Sequence, residues 1–331
     1  MTATLLSIHK LKTYFPYIDN TLFKKVKGYV KAVDDVSFDI NRGEILGLVG
    51  ESGCGKSTLA RTIMGLTKRT SGSITIEGRD WNTTSKDRIK KEQPEFQMIF
   101  QDPFSSLNPR MTVFTALSEP LLYHGWATKK DCVDMVSKWM LEVGLSPRNM
   151  NKYPHEFSGG QRQRIAIARA LVLKPKLIVA DEPVSALDVS IQSQILNLLL
   201  QLNRNHHLSM LFISHDLSVI RHIADRTAVM YLGKIIELGQ SDQVFTDPKH
   251  PYTQALLSAI PLPDPAKEKN RKRILMTGDP PTALSMPSGC RFHTRCRYGE
   301  EKCAMIEPEL ETKHNGHQAA CFFSDRIRIA S

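Results

Sequence analysis

The sequence predicts an α/β fold in which helices cover a largely parallel β-sheet. Three observations support this fold class. The apolar run Ile45–Val49 leads into a glycine-rich loop, Gly50–Thr58, an order typical of a strand, a tight loop and a helix. A second apolar run, Leu177–Ala180, ends in two carboxylates, Asp181 and Glu182. From residue 161 onward, helical and strand-like segments alternate, as in a parallel sheet.

Composition sets the bounds on size and class. The chain has 331 residues, 41% of them hydrophobic, and a formal net charge of +10, so one large domain with an appendage or two modest domains are expected. No stretch approaches the ~20 consecutive apolar residues of a spanning helix. The N-terminus lacks a secretory pattern, which predicts a cytosolic location. The basic residues are scattered, so nucleic acid is not an expected partner.

The segments before residue 160 are predicted from their apolar spacing. Residues 4–13 and 30–49 alternate like strands, and Ser73–Glu77 is a third short strand. The segment Thr58–Gly65 should be the helix that follows the glycine-rich loop. Between about 105 and 160 the spacing becomes helical and prolines separate the helices, which predicts an inserted helical subdomain.

The segments after residue 160 restore the α/β order. They are predicted as a helix, a strand, a helix, a strand and a terminal hairpin. In chain order they are Arg162–Leu173, Leu177–Ala180, Ile191–Asn203, Met210–Ile213 and the pair Thr227–Tyr231 with Lys234–Leu238. Frequent prolines after residue 246 predict a boundary there and a small, loop-rich appendage.

The glycine-rich loop has the pattern of a phosphate-binding loop: glycine, four residues, then glycine, lysine and serine. Its predicted ligand-contacting residues are Gly50, Glu51, Ser52, Gly53, Cys54, Gly55, Lys56, Ser57 and Thr58. Backbone N–H groups and a helix N-terminus would face the phosphates, with Lys56 at the β- and γ-phosphates and Ser57 at Mg²⁺. Asp181 would hold the metal and Glu182 the attacking water. The sequence therefore predicts binding of a nucleoside triphosphate.

Further motifs resemble those of the ATP-binding cassette (ABC) ATPases over about residues 4–245. They are Gln101, the segment Ser158-Gly159-Gly160-Gln161, Asp188 and His215. The resemblance implies a P-loop NTPase cassette with a RecA-like parallel core, an antiparallel β-subdomain and the helical subdomain. It also implies a head-to-tail pair of cassettes, because Ser158–Gln161 would face the γ-phosphate of a nucleotide held by the other subunit.

The same resemblance implies roles for single residues. Gln101 would contact Mg²⁺ and the water, Asp188 would arrange the partner's site and His215 would approach the γ-phosphate. An aromatic ring just after the first strand would stack on adenine, which points to Phe15 or Tyr14. Because Pro16–Gly28 is interpreted as an insertion, Tyr29 and Phe23 remain open as alternatives.

Four of the six cysteines lie in the tail and suggest a metal site. They are Cys290, Cys296, Cys303 and Cys321. Their spacing is compatible with an iron–sulfur cluster, with Zn²⁺ or with thiols that bind no metal. His293, His314 and His317 are alternative ligands but are expected at the surface. Cys54 and Cys132 are expected to be packing residues.

The tail carries a second resemblance, to the C-terminal extension of ATPase subunits of oligopeptide and dipeptide importers. It rests on His250–Leu257 and Ser288–Cys296, and it implies a four-cysteine 4Fe–4S site. The implied domains are a cassette at 1–245 and the extension at 246–331. The implied role is peripheral, on the cytoplasmic side of the inner membrane.

The implied partners are a second ATPase (a paralogue or another copy), two permease subunits and an extracytoplasmic solute-binding protein. Import of nickel or another small solute, and a soluble ABC ATPase acting on ribosomes or nucleic acid, remain alternatives.

Overall fold

A computed structural model describes residues 3–18, 26–81, 93–102, 106–261, 273–276, 278, 281–282 and 284–327. The chain divides into two compact units. Unit 1 comprises Met1–Leu5, Ile40–Glu44 and Trp81–Ile213, and unit 2 comprises Leu6–Asp39, Ile45–Asp80 and Ser214–Ser331. Each unit is built from several separate segments of the chain, so this division does not test the single domain boundary predicted between residues 245 and 246, which stays a prediction.

The strands, in chain order, are β1 (Thr4–Ile18), β2 (Val26–Asn41), β3 (Ile45–Val49), β4 (Ser71–Ile76), β5 (Arg79–Asp80), β6 (Phe96–Ile99), β7 (Leu177–Asp181), β8 (Ser209–Ser214), β9 (Arg226–Tyr231), β10 (Lys234–Gln240), β11 (Glu311–His314) and β12 (His317–Ala319). The helices are α1 (Lys56–Ile63), α2 (Val113–Tyr123), α3 (Lys129–Glu142), α4 (Gly159–Leu171), α5 (Val189–His206), α6 (Leu217–Ile223), α7 (Ser241–Thr246), α8 (Pro251–Ala259) and α9 (Glu301–Met305).

Unit 1 contains three parallel strands in the order β8-β7-β6. Every residue of β7 is buried, as expected for a strand with helices on both faces. The helical segment predicted at about 105–160 is confirmed over its described residues, which contain α2 and α3. Threonine caps begin both helices, Thr112 for α2 and Thr128 for α3.

Unit 2 contains an antiparallel sheet in the order β2-β1-β4-β5 and a run of strands in the order β11-β12-β10-β9-β3. Within that run β3 is parallel to β9, whereas β10 is antiparallel to β9 and to β12. Helix α6 contacts β3 closely at Gly47, where an added Cβ would lie 2.5 Å from Ile220 Cγ2. The glycine in this strand therefore allows the helix to pack against it.

One prediction about the N-terminal strands was wrong in detail. The extended segment predicted at 30–49 is divided by a turn in which the Glu44 N–H donates to the Asn41 carbonyl, 3.2 Å away, so β2 and β3 are separate strands. The segment interpreted as an insertion at 16–28 forms, where it is described, the ends of β1 and β2, and its interpretation as an insertion stays a prediction. Residues there do not alternate regularly between exposed and buried, so the sequence pattern did not indicate strands.

The tail contains more regular structure than the sequence predicted. Strands β11 and β12 form a hairpin that pairs with the edge of β10, with Glu237 opposite Ala319. His317 was expected at the surface, and that expectation was wrong. Its side chain is buried and its Nε2 lies 2.7 Å from Glu237 Oε1. Strand alternation turns this residue inward, and no local signal marks its distant carboxylate partner.

Candidate phosphate-binding and catalytic site

The glycine-rich loop of unit 2 joins β3 to α1, as predicted. Gly55 precedes α1 with a φ of 111°, a conformation that favours glycine. A Cβ on Gly55 would also lie 2.0 Å from the Ala32 carbonyl oxygen. The loop therefore needs glycine here to bring its backbone N–H groups to the start of α1, where anions bind.

Lys56 lies inside this loop. The side chain is buried, and its Nζ donates to the carbonyls of Gly50 at 2.7 Å and Glu51 at 3.0 Å. Ser52, Gly53 and Ser57 are exposed around it. The loop thus holds an ammonium group beside exposed backbone, an arrangement suited to a polyphosphate. Thr58 belongs to the first turn of α1.

Cys54 is the buried thiol of the loop. Burial raises its pKa, and the nearby Lys56 ammonium only partly offsets that effect. The thiol therefore stays protonated and acts as a small packing group. Cys132 is also buried, so both predicted packing cysteines lie in the interior.

In unit 1 the structure brings two predicted catalytic residues together. Asp181 ends β7 and is buried, and Glu182 follows with a φ of 48°. The Glu182 N–H donates to the Ile213 carbonyl at 3.0 Å, which fixes this turn at the end of the strand. The Gln101 Nε2 donates to Glu182 Oε2 at 3.0 Å. An amide and a carboxylate therefore meet where the parallel strands end, the edge at which ligands bind in such sheets.

The segment Ser158–Gln161 forms a capping box at the start of α4. The Gln161 N–H donates to Ser158 Oγ at 3.4 Å and the Ser158 N–H donates to Gln161 Oε1 at 3.0 Å. Gly159 and Gly160 form the first turn between them. The local chemistry of a helix cap is thus present, and the small residues leave the helix N-terminus accessible to an anion.

Asp188 begins the next helix, α5. Its Oδ1 accepts from the Ile191 N–H at 3.0 Å and from Ser190 Oγ at 2.8 Å. The backbone hydrogen bond from Ile191, followed by the bond from Ser190, lowers the pKa of this exposed carboxyl. Asp188 is therefore a charged N-cap at neutral pH.

His215 and the aromatic candidates belong to unit 2. His215 is exposed in the loop between β8 and α6. Phe15 is 41% exposed, whereas the hydroxyl of Tyr14 donates to Asp34 Oδ1. Tyr29 is also exposed, and Phe23 lies outside the described residues. Phe15 is therefore an accessible ring next to a tyrosine that is held in place.

The four tail cysteines line one cavity in unit 2, together with Phe292, His293 and other residues. Among the described residues, no group of three or more His, Cys, Asp and Glu side chains is arranged to hold a metal ion. Burial raises the pKa of Cys290 to about 12 and that of Cys321 to about 11. These thiols stay protonated unless a cation stabilises the thiolates.

Sequence reasoning missed three residues that contact the phosphate loop or its surroundings. Arg295 and Tyr252 contact Glu51, and Arg291 pairs with Asp34. Arg295 and Glu51 are 244 positions apart in the chain. The available signal was the pair of arginines between Cys290 and Cys296, but arginine in a basic chain does not by itself indicate a buried partner.

Two family models match the chain. One, described as "ABC transporter", matches residues 33–185. The other, described as "Oligopeptide/dipeptide transporter, C-terminal region", matches residues 236–303. The Oligopeptide transport ATP-binding protein OppF of Salmonella typhimurium is 51% identical over 325 residues, covering 98% of this chain and 97% of the relative.

The chain belongs to the ABC transporter ATP-binding proteins. Within this family it is also similar to the Oligopeptide transport ATP-binding protein AppF of Bacillus subtilis, at 49% identity over 96% of this chain and 97% of the relative. The family resemblance predicted from the motifs is confirmed, and the protein is an ABC-type ATPase.

Solved cassette structures confirm the predicted fold class. The ATP-binding cassette MJ0796, in a dimeric post-hydrolysis state with ADP and Pi, matches with a TM-score of 0.63 and 27% identity. That match covers 72% of this chain and 99% of the other. CbiO1 from Clostridium perfringens, part of an ABC transporter complex, matches with a TM-score of 0.63 and 26% identity, covering 73% and 90% of the two chains. Among the described residues, no helix of this ABC ATPase is long and apolar enough to cross a bilayer.

Proposed function

We propose that this chain is the ATP-hydrolysing subunit of an ABC importer for oligopeptides or dipeptides and works at the cytoplasmic face of the membrane. The family places it among transport ATPases. Support for peptides comes from the tail, which matches the oligopeptide/dipeptide transporter region, and from relatives of about the same length that are oligopeptide transport proteins. These features favour peptide over nickel import.

The observation that carries the catalytic assignment is the hydrogen bond between Gln101 and Glu182. Glu182 accepts the proton of a water molecule as that water attacks the γ-phosphorus. The bond from the γ-phosphorus to the β–γ bridging oxygen breaks, and ADP and phosphate leave. Gln101 orients the carboxylate and the water, and Lys56 neutralises charge on the phosphates. His215 contacts the γ-phosphate.

The oxygen donors present suit Mg²⁺, which prefers carboxylate, hydroxyl and phosphate oxygens. Asp181 and Ser57, with Gln101, would hold this ion. When bound, it supplies positive charge that stabilises the phosphate oxygens during transfer. The exposed ring of Phe15 stacks on adenine.

A complete site requires a second cassette. The chain has one phosphate loop and one Ser158–Gln161 segment, and the latter would close over nucleotide held by the other subunit, with Asp188 beside it. The second subunit is a paralogue or another copy. Two permease subunits and an extracytoplasmic solute-binding protein complete the transporter, and ATP-driven closure and reopening of the cassettes change its access.

The helical segment of unit 1 is the proposed docking surface for the permeases. Several large apolar side chains are exposed there, which is uncommon unless a partner covers them. They are Leu122, Tyr123, Trp126, Val133 and Leu141. An apolar surface of this kind suits a membrane-protein partner.

We also propose that the four-cysteine cavity holds a 4Fe–4S cluster, with Zn²⁺ as the alternative. Four thiols sharing one cavity are a suitable donor set for either. A single Zn²⁺ needs all its sulfurs about 2.3 Å away, whereas a cluster bridges thiols that are farther apart. The resemblance of the tail to the C-terminal region of oligopeptide/dipeptide transporters favours the cluster.

Metal analysis of anaerobically purified protein tests that assignment. We expect about four iron atoms per chain and an absorbance band near ~400 nm. Cys303→Ser should lose the iron, while Cys132→Ser, in which the altered cysteine lies outside the tail, should keep it. Stoichiometric zinc without iron would establish the alternative, and protein with neither metal would refute both.

The substitution Glu182→Gln tests the catalytic assignment. The variant keeps the shape of the side chain but cannot accept the proton, so turnover should fall about 10²–10⁴-fold. ATP binding should persist, and a nucleotide-bound dimer should accumulate in size-exclusion chromatography. Glu301→Gln, an exposed residue of α9, is the control and should hydrolyse ATP at the parental rate.

Hydrolysis by Glu182→Gln at the parental rate would remove Glu182 from the mechanism. For the transport assignment, the complex purified from membranes with its neighbouring subunits is assayed with peptides and with nickel salts. Peptides should stimulate hydrolysis by the parental complex, and stimulation by nickel alone would overturn the choice of substrate.

A further inference from the structure

The loop between Cys290 and Cys296 contains two buried arginines, Arg291 and Arg295, that contact other parts of unit 2. Arg291 pairs with Asp34 and donates to the Leu232 carbonyl. Arg295 Nη1 lies 3.1 Å and 3.3 Å from the two carboxylate oxygens of Glu51. Both arginines lie within seven residues, Cys290–Cys296, so one short loop contacts two separate parts of the unit.

Glu51 is held from outside the phosphate loop at both its side chain and its backbone. Arg295 contacts the carboxylate, and the Glu51 N–H donates to the hydroxyl of Tyr252 at 2.9 Å. Arg295 Nη1 also lies 3.4 Å from the hydroxyl of Tyr231. Arg295, Tyr231 and Tyr252 are buried, whereas 27% of the Glu51 side chain is exposed, so these contacts are partly shielded from water and restrain the start of the loop.

An aromatic cluster fixes the position of Tyr252. The ring centroids of Tyr231 and Tyr252 are 4.6 Å apart, and Phe292 lies 5.4 Å from each of them. Such pairs favour tilted and edge-on geometries. Phe292 belongs to the same cysteine loop, and the Cys290 N–H donates to the Cys303 carbonyl at 2.7 Å. The tail therefore supports Tyr252, and through it the phosphate loop, by a buried aromatic cluster.

The charge of Glu51 explains why this support matters for ATP. A carboxylate in a phosphate-binding loop repels the triphosphate unless a cation neutralises it, because charges a few Å apart interact strongly when partly shielded from water. The Arg295 guanidinium supplies that cation. Removal of Arg295 leaves an unneutralised carboxylate in the phosphate loop and frees the Glu51 side chain to move.

We infer that Arg295, supported by Tyr252, is a positioning residue through which the tail sets the ATP affinity of the phosphate loop by holding and neutralising Glu51. The inference rests on the proposed ATPase function. It concerns binding rather than the chemical step, because the partners of Arg295 are Glu51 of the phosphate loop and Tyr231, whereas the proposed chemistry uses Gln101 and Glu182. Loss of Arg295 should therefore raise KM for ATP and leave kcat nearly unchanged.

The test measures the ATP dependence of hydrolysis by the full-length chain. Arg295→Met should raise KM for ATP about tenfold and change kcat by less than about twofold. Arg297→Met is the matched control, since Arg297 is exposed and bonds only to Gln254 and Tyr298 among the contacts described for it. It should leave both constants unchanged.

Adding Glu51→Gln to Arg295→Met shows whether the rise in KM comes from the unneutralised Glu51 carboxylate or from a general loss of structure. The double variant with Arg295→Met should recover most of the lost affinity, because it lacks the unpaired carboxylate. An unchanged KM in Arg295→Met, or no recovery in the double variant, would overturn the inference. If Arg295→Met does not fold, Arg295→Gln replaces it, since glutamine keeps hydrogen-bond donors but removes the positive charge, and the same rise in KM is expected.

Failure of this inference is distinguishable from failure of the proposed function. A parental chain that does not hydrolyse ATP refutes the function itself. A parental chain that hydrolyses ATP, with Arg295→Met showing the same KM, refutes only the role of Arg295.

Discussion

Asp34 is a buried carboxylate of unit 2 that accepts hydrogen bonds from Tyr14 and Arg291. Burial alone would raise its pKa, but hydrogen bonds from Tyr14 and Arg291, together with the guanidinium charge, outweigh burial and lower the pKa. Burial and the bond to Asp34 raise the pKa of Tyr14. Tyr14 therefore remains a hydrogen-bond donor, and its hydroxyl and backbone hold the chain next to Phe15.

Arg291→Met should destabilise the chain, because it leaves the Asp34 carboxylate buried without its cation. The expected loss is about 3 kcal/mol in the free energy of unfolding at pH 7. Since the folded pKa of Asp34 is lowered, its stabilising effect is present above the unfolded value of about 3.9 and is lost as the pH falls through the folded value. The difference from the parental chain should therefore shrink below about pH 4.

Denaturant unfolding at several pH values measures this difference. Arg326→Met is the matched control, because Arg326 forms an exposed pair with Glu300 at 2.8 Å, and exposed pairs contribute little. Equal stability of the two variants at pH 7 would contradict a stabilising role for the Arg291–Asp34 pair.

At the scale of elements, the first turn of α4 contains two glycines that differ in their surroundings. A Cβ on Gly159 would lie 3.6 Å from Leu187 Cδ2, an ordinary contact. A Cβ on Gly160 would lie 2.6 Å from Ile191 Cγ2, near the start of α5. Isoleucine is stiff at χ1, so the second glycine sets the close approach of these two helices.

Gly160→Ala should therefore lower the thermal stability of the chain, with a cost of about 1–3 kcal/mol from overpacking. Gly159→Ala should have the parental stability or slightly more, because alanine favours helix. Thermal unfolding of the isolated chain measures both effects. If Gly159→Ala is stable but no longer forms the ATP-dependent dimer of the Glu182→Gln background, Gly159 acts at the partner's nucleotide. Equal melting temperatures for the two alanine variants would refute the packing role of Gly160.

At the scale of the whole molecule, the tail is part of unit 2 rather than a separate body. The β11–β12 hairpin extends the strands of that unit through β10, and Glu237 accepts bonds from the Lys249 and His250 N–H groups at 2.6 and 3.0 Å. The aromatic cluster adds apolar contacts between α8 and the cysteine loop. Changes in the tail are thus expected to reach the phosphate loop, whereas Gln101 and Glu182 belong to unit 1.

The sequence by itself determined the features that depend on neighbouring residues. The phosphate loop, the buried strand ending in Asp181 and Glu182 and the alternation of helices and strands follow from local spacing and backbone preference. The same features are the motifs that identify the family, so the ATPase activity could be predicted from the sequence.

Only the tertiary structure decided which distant charges meet. The pairing of Arg295 with Glu51, of Arg291 with Asp34 and of His317 with Glu237 brings together residues far apart in the chain. Local patterns cannot predict such pairs, because a buried charge is tolerated only where packing places its partner within reach. The strand ends of β1 and β2 and the tail hairpin were hidden for a related reason, since their pairing depends on strands elsewhere in the fold.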